Sequence, residues 1–396
     1  MTTTTTPTAA AWPHLSNTDL ICFSHLRWNF VYQRPQHLLS RFANQTRVFF
    51  IEEPIHHDAP DKLHINEEGN VYVVVPHLQH GCSHEESINK QREMLNDLIS
   101  VMEINNYFAW YYTPMALPFT DHLQPRMVVY DCMDELSAFK FAPPELKENE
   151  RILLNKSDVV FTGVYSIYEA KKTAHPNIYP FPSSIDKDHF GSARTITTDP
   201  ADQAHIPHPR FGFYGVIDER FDINMIAEAA KARPEWQFVL IGPVVKIDPA
   251  SLPRFENIHY LGGKDYKELP QYLAGWDVAI IPFEMNESTK YISPTKTPEY
   301  LAAGKPVIST PIKDVVSPYG DNKLVHIAAD SKQFVKCGDA ILKRKNAKAW
   351  LNKVDAFLDG NSWDRTWSQM AKHIEASMNT AAGSKTVVAE KSKLLA

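Results

Sequence analysis

The most informative segment of the chain reads Ser293-Pro294-Thr295-Lys296-Thr297-Pro298-Glu299-Tyr300-Leu301-Ala302-Ala303-Gly304-Lys305-Pro306-Val307-Ile308-Ser309-Thr310. Ser293 and Pro294 are helix start signals, Gly304 is a stop signal, and an apolar pair follows Pro306. The segment therefore predicts a loop, a short helix, a turn and a strand. The helix begins beside Lys296, with Glu299 one turn later.

This helix start predicts a binding site for a phosphorylated sugar compound. The first turn of a helix has unpaired N–H groups and the positive end of the helix dipole, and Lys296 adds a full charge. We expect Ser293, Pro294, Thr295 and Lys296 to bind phosphate. Glu299 offers only acceptors and suits the two hydroxyls of a ribose.

The pattern Ser-Pro-x-Lys-x-x-Glu-Tyr-Leu-Ala-Ala-Gly-Lys-Pro-Val-Ile resembles the nucleotide-sugar-binding segment of GT-B glycosyltransferases, particularly the bacterial group 1, family 4-like enzymes that elongate surface polysaccharides. The resemblance covers roughly residues 20–378. It implies two Rossmann-like, doubly wound α/β domains facing a central cleft, with a C-terminal helix that crosses back to the first domain. The alternative is an ordinary helix–strand connection in any doubly wound sheet.

Length and composition set the outer limits of the prediction. A chain of 396 residues fits two domains, and a net charge of −6 gives no sign of a nucleic-acid surface. The four scattered cysteines indicate a reducing cytoplasm. With no signal peptide and no run of ~18 apolar residues, we expect a cytoplasmic protein, either soluble or peripheral to the inner face of the membrane.

The alternation of strand and helix patterns divides the chain as follows. We predict a disordered start (1–18), an acceptor-side domain (19–190), a linker (191–209), a nucleotide-sugar-binding domain (210–360), a crossing helix (361–379) and a disordered tail (380–396). Within the first domain, 63–65 and 71–75 predict a hairpin, and 84–105 a long helix.

Two places in the first domain are candidate acceptor or catalytic sites, because both follow strands at the edge where α/β sheets bind ligands. The loop after the first strand contains His25, Arg27, Trp28 and Arg34, which we assign to the acceptor side; the alternative is surface arginines and a buried tryptophan. Asp131 and Asp134 follow a later strand. Relatives often have a His-Asp pair there, and here the histidine is missing, so either aspartate is a candidate general base or merely a helix cap.

In the second domain, the turn from Gly215 to Arg220 resembles the diphosphate loop of the family, with Arg220 the only basic residue left of the usual pair. Gly242 ends the next strand, and Gly263 and Lys264 match the place where the family holds the base. Many family members have two glutamates eight positions apart in this region. Glu299 matches the second, but Tyr291 stands at the position of the first, so the task of that glutamate is vacant or has moved to Glu284 or Glu287.

The resemblance implies a glycosyltransferase that moves a sugar from a UDP- or GDP-sugar to a carbohydrate or lipid-linked acceptor. Arg220 and Lys296 would stabilise the leaving diphosphate, so no metal and no other cofactor is expected. A zinc site in the His77–His84 loop is the weaker alternative to a polar loop. A same-fold epimerase or phosphorylase and a non-catalytic binding protein stay open, as do retention and inversion. A Rossmann oxidoreductase is disfavoured because Gly-x-Gly occurs nowhere.

Overall fold

Two units make up the chain in the computed structural model, which describes residues 12–139, 142–287, 289–344 and 347–394, with side chains up to residue 379. The first unit contains the described residues up to Phe181 and from Asp364 onward, and the second contains Pro182–Trp363. The boundary therefore precedes the predicted linker. Residues 191–209 lie in the second unit, where Gln203 and Ile206 are buried.

The first unit is built on a sheet of nine strands within its described residues. They are β1 (Asp19–Ser24), β2 (Val48–Glu52), β3 (Ile55–His57), β4 (Lys62–Glu68), β5 (Val71–Gln79), β6 (Tyr107–Tyr111), β7 (Val128–Cys132), β8 (Val159–Thr162) and β9 (Ile178–Pro180). The order is β3-β5-β2-β1-β6-β7-β8-β9, all parallel. β4 pairs antiparallel with β5, which confirms the predicted hairpin. β1 therefore lies at the point where the strand order changes direction, between β2 and β6.

Helices pack on this sheet because its central strands are apolar on both faces. They are α1 (Arg34–Phe42), α2 (His84–Val101), α3 (Leu117–Thr120), α4 (Leu146–Lys156) and α5 (Tyr165–Lys171). Residues 12–18 are packed on this unit, contrary to the predicted disorder of 1–18. Trp12 is buried with its ring 5.8 Å from that of Trp367, and Glu375 accepts the N–H groups of His14 and Leu15. Residues 1–11 lie outside the described residues.

The second unit has a fully parallel sheet with the strand order of dinucleotide-binding folds. Its strands are β10 (Arg210–Tyr214), β11 (Gln237–Ile241), β12 (Ile258–Tyr260), β13 (Val278–Ile281), β14 (Val307–Ser309) and β15 (Val325–Ile327). The order β12-β11-β10-β13-β14-β15 places the change of direction between β10 and β13. In such a sheet the carboxyl ends of these two strands border the ligand crevice.

The remaining helices are α6 (Lys187–Gly191), α7 (Ile223–Ala232), α8 (Leu269–Ala274), α9 (Lys296–Ala302), α10 (Lys313–Val315), α11 (Ser331–Leu342), α12 (Ala347–Leu358) and α13 (Trp363–Leu394). α9 is the helix predicted after Pro294. α13 continues to Leu394, past residue 379 and into the tail predicted to be disordered. The predicted α/β class with doubly wound parallel sheets is confirmed.

Candidate functional site

Two glycine turns shape the crevice edge of the second unit. Gly215 follows β10 with φ +134°, and Gly242 follows β11 with φ +143°. Residues other than glycine rarely adopt such backbone angles. A Cβ on Gly242 would lie 1.9 Å from the carbonyl oxygen of Gly215, whose N–H donates to Ile241 at 2.9 Å. The two turns therefore pack backbone against backbone, with no space for a side chain on Gly242.

The side chain of Lys296 lies over the Gly215 turn. A Cβ on Gly215 would be 2.4 Å from Lys296 Cε and 2.8 Å from Nζ. The ammonium group also lies 5.6 Å from the ring centre of Phe213 and 5.7 Å from that of Phe283. Burial lowers its pKa to about 8, against the raising effect of Glu299. Across the described ranges, no carboxylate forms an ion pair with this lysine.

Glu299 is buried one turn further along α9. Its Oε2 accepts a hydrogen bond from the hydroxyl of Tyr214, the last residue of β10. The N–H of Tyr214 in turn donates to the Tyr300 hydroxyl at 3.0 Å. Burial raises the pKa of Glu299 to about 7, although Tyr214 and Lys296 both favour the ionised form. The site thus contains a carboxyl group and an ammonium group that both titrate near neutral pH.

Arg220 reaches the same strand ends from the loop after Gly215. Its guanidinium binds the buried Asp218, with Nη2 2.6 Å from Oδ2. Its carbonyl accepts the N–H of Glu284 at 2.7 Å, which joins this loop to the segment after β13. Glu284, unlike the exposed Glu287, is half-buried at this edge. Asp218 therefore already neutralises part of the charge of Arg220, whereas no ion pair neutralises Lys296 within the described residues.

The other predicted donor residues fall into two groups. Ser293, Pro294 and Thr295 directly precede α9, and the Pro294 and Thr295 carbonyls accept the Thr297 and Glu299 N–H groups. By contrast, Lys264 pairs with Asp202 at 2.7 Å, and Gly263 precedes it after β12. The charge of Lys264 therefore stabilises the unit, and only main-chain groups there can meet a base.

In the first unit, two separately predicted site residues bind each other. Arg34 donates from Nε and Nη2 to the two carboxylate oxygens of Asp131, at 2.9 and 2.8 Å, and both side chains are buried. Burial lowers the pKa of Arg34, but the adjacent Asp131 outweighs this effect and raises it. Both oxygens of Asp131 are occupied and inaccessible, so this geometry corrects its predicted role as a general base. Arg34 is likewise removed from the acceptor side.

The loop after β1 also differs from the prediction. Arg27 pairs with Glu52 at 2.9 Å and donates to the Glu53 carbonyl at 2.6 Å. Trp28 is buried, and its indole N–H donates to Glu68 at 2.9 Å. His25 is half-buried at the start of the loop. Arg27 keeps partial access to solvent, whereas Trp28 fixes the loop in place.

Comparison with known proteins identifies this arrangement. Residues 208–344, which include Gly215, Arg220, Lys296 and Glu299, match the family model described as Glycosyl transferases group 1. Over 281 residues, the chain is 26% identical to a Bacillus subtilis protein named as a teichuronic acid biosynthesis glycosyltransferase, TuaH. This match covers 64% of the chain and 70% of that protein.

Solved structures show the same fold over almost the full length. Sucrose-phosphate synthase from Thermosynechococcus elongatus matches with a TM-score of 0.67 and 14% identity, covering 92% of this chain and 100% of that one. HepE from Anabaena, solved with UDP-glucose, matches with a TM-score of 0.64 and 12% identity over 90% of this chain and 99% of that one. The protein is a GT-B glycosyltransferase. The epimerase, phosphorylase and non-catalytic alternatives are not favoured.

Three further predictions concern this glycosyltransferase. Asp134 is half-buried just after β7 and, unlike Asp131, stays a candidate base. Among the described side chains, no group of three or more His, Cys, Asp or Glu residues has metal-binding geometry, and this includes the His77–His84 loop. Within the same residues, no helix combines the length and apolarity needed to span a bilayer.

Sequence reasoning missed two residues of the glycosyltransferase site, Tyr214 and Asp218. Tyr214 binds Glu299, and Asp218 binds Arg220. One signal was available for Tyr214: a polar side chain as the last residue of an apolar strand, directly before a glycine turn. For Asp218, an acid two residues before an arginine is too common a pattern to be informative.

Proposed function

We propose that the glycosyltransferase uses a nucleoside diphosphate sugar, a UDP- or GDP-sugar, and transfers the sugar to a carbohydrate or lipid-linked acceptor in bacterial surface-polysaccharide synthesis. The name of the Bacillus subtilis relative, a teichuronic acid biosynthesis enzyme, supports the polysaccharide assignment. The UDP-glucose complex of HepE supports a uridine nucleotide. Contact with the inner face of the membrane fits a lipid-linked acceptor.

The position of Lys296 carries the proposal. Its ammonium group lies over the Gly215 turn, without an ion-pair partner in the described chain, and burial has lowered its pKa to about 8. A diphosphate bound there would supply the missing negative charge. Because charge on the leaving diphosphate grows as the glycosidic bond breaks, this preorganised cation stabilises the transition state more than the ground state. Arg220 adds a second, partly neutralised charge, so catalysis would proceed without a metal.

Glu299 completes the donor site as the acceptor for ribose hydroxyls. Its Oε2 is held by Tyr214, which fixes the carboxyl group one turn after Lys296. The phosphate and the ribose of one nucleotide would thus bind to successive turns of α9. Hydrogen bonds to charged groups contribute about 1.5–3 kcal/mol each, so the loss of Glu299 is expected to weaken nucleotide binding by about that amount.

The test combines nucleotide binding with sugar transfer. Melting temperatures are measured with UDP, GDP, ADP and dTDP, since ligand at 100 times its Kd adds ~2.7 kcal/mol. Radiolabelled UDP- and GDP-sugars are then supplied with membrane extracts, with and without EDTA. We expect one nucleotide to stabilise the protein and label to enter a glycan with EDTA present. Epimerised donor, binding without transfer, or transfer that needs added Mg²⁺ would each contradict the proposal. Lys296→Ala should lower the rate of transfer in this assay. Lys332→Ala, at an exposed lysine of α11, is its matched control.

A further inference from the structure

A pocket of about 340 Å³ lies on the first unit between the loop after β1 and the β4–β5 hairpin. We call it the hairpin pocket. Its volume is at the lower end of the range for small-molecule sites, ~300–1,000 Å³. All its lining residues belong to the first unit. Three of its lining residues, Arg27, Asn29 and Phe30, belong to the loop that follows β1, the strand at which the strand order of that sheet changes direction and beyond whose end ligands commonly bind.

The hairpin pocket has an apolar floor and an aromatic wall. Val73 and Val75 lie two residues apart on β5 and therefore share one face of the strand. Phe30, from the loop, lines the same pocket with 57% of its surface exposed. A large aromatic side chain left this accessible beside an apolar floor offers its face to a ligand.

Glu68 fixes the polar side of the pocket. Its carboxylate accepts from the Trp28 indole at 2.9 Å and from the amide nitrogen of Asn66 at 3.1 Å, and Asn29 donates to it at 3.4 Å. Because the amide nitrogens of Asn29 and Asn66 face Glu68, their carbonyl oxygens stay available as acceptors. Both asparagines line the pocket. The acceptors are thus held in position before a ligand arrives.

The two charged residues that line the hairpin pocket neutralise each other. Arg27 and Glu52, which line it, form an ion pair at 2.9 Å. His64 lines the rim opposite Val75 on the neighbouring strand, and its ring nitrogens form no hydrogen bond within the described chain. A charged ligand would have to break the Arg27–Glu52 pair. A neutral ligand with several hydroxyls would not, and it would match the free acceptors and the histidine.

We propose that the hairpin pocket binds a neutral sugar ring of the glycan acceptor. A pyranose has C–H groups on its faces and hydroxyls at its edge, so it would stack on Phe30 and Val73 while its hydroxyls donate to Asn29 and Asn66. The assignment of this sugar to the acceptor rests on the proposed transferase function. The pocket itself depends only on the first unit, whereas donor binding depends on residues of the second.

The experiment measures sugar and nucleotide binding separately on the full chain. Methyl glycosides of glucose, galactose, mannose and N-acetylglucosamine are titrated by saturation-transfer NMR, and UDP and GDP by calorimetry. The variants are Phe30→Ala and Asn66→Leu. Tyr165→Ala, at an aromatic residue of the same unit that is 50% exposed, is the matched control. Both test positions are exposed, so folding should be kept, and melting temperatures check this.

We expect at least one glycoside to bind saturably to the wild-type chain. Phe30→Ala and Asn66→Leu should each raise the Kd of this glycoside roughly tenfold, about 1.4 kcal/mol. Tyr165→Ala should leave that Kd unchanged, and nucleotide binding should be the same in all three variants. No glycoside binding by the wild type, or equal Kd values in all three variants, would overturn the inference. Glycoside binding that is lost in Phe30→Ala while no nucleotide binds would instead contradict the proposed function and leave the pocket as a sugar site.

Discussion

Replacing Glu299 by glutamine should stabilise the free protein at neutral and alkaline pH while it weakens nucleotide binding. Burial raises the pKa of this carboxyl group to about 7 from an ordinary value of 4.5. A carboxyl group with a raised pKa in the folded state binds its proton more tightly there than in the unfolded chain. Ionisation of Glu299 therefore lowers the free energy of unfolding. This loss is absent below about pH 4.5, grows as the pH rises, and is complete above about pH 7.

The size of the effect follows from the same values. At ~1.4 kcal/mol per pKa unit, the rise from 4.5 to about 7 corresponds to about 3 kcal/mol. This value already includes the attraction of Lys296. Allowing about 1 kcal/mol or more for the less suitable hydrogen bonds of a buried amide, we expect a gain of about 1–3 kcal/mol. For a folding unit of 150–250 residues, 1 kcal/mol shifts the melting temperature by about 2–4 °C. The expected gain at pH 8 is thus roughly 2–12 °C.

Melting curves of wild type and Glu299→Gln between pH 4.5 and pH 8 measure this directly. We expect the difference in melting temperature to be small at pH 4.5 and to increase in favour of the variant up to about pH 7. Glu287→Gln makes the same chemical change at an exposed position and should show no such trend. A difference that is constant with pH, or a variant that is less stable at pH 8, would refute the reasoning. Calorimetry should also show weaker UDP or GDP binding.

Four further predictions concern the other charged and glycine positions. Lys296→Ala should lower kcat more than it raises donor KM, since leaving-group charge grows towards the transition state; full activity would contradict this. Asp131→Asn should lower the free energy of unfolding by about 3–5 kcal/mol, because it leaves Arg34 buried without its charged partner. If Asp134 is the base, Asp134→Asn should reduce the rate of sugar transfer ~10²–10⁴-fold at unchanged melting temperature. Gly215→Ala should reduce kcat/KM about tenfold or more, ~1.4 kcal/mol, since a Cβ is strained at φ +134° and would displace the Lys296 ammonium group; wild-type kinetics would contradict this.

The donor side could be predicted from sequence because its main signals are local. Lys296 and Glu299 are three residues apart on one short helix, and the helix start, stop and following strand are all marked by neighbouring residues. The glycine turn after β10 is also contained in a few residues. A local pattern fixes the element on which a side chain lies. It does not fix what the side chain meets from elsewhere in the chain.

The acceptor side shows this limit. Arg34 and Asp131 are 97 residues apart, and each was placed in a site because it follows or precedes a strand end. Only the packing of β1, β6 and β7 brings α1 over the end of β7, where the two charges neutralise each other. The hairpin pocket was missed for the same reason. Phe30 and Asn66 come from separate elements that Glu68 joins through long-range hydrogen bonds.

The Lys296–Glu299 region favours function at the expense of stability. In the free protein, burial moves both pKa values towards neutrality, so neither charge is well solvated and neither is directly paired with the other. Packed apolar side chains at these positions would stabilise the fold, and natural proteins accept such losses mainly where activity requires them. A bound diphosphate would give Lys296 its missing counter-charge, and ribose hydroxyls would solvate the ionised Glu299. Nucleotide binding would then supply the favourable interactions that these two charges lack in the free protein. For this reason Glu299→Gln is expected to raise the free energy of unfolding and to lower the affinity for the nucleotide.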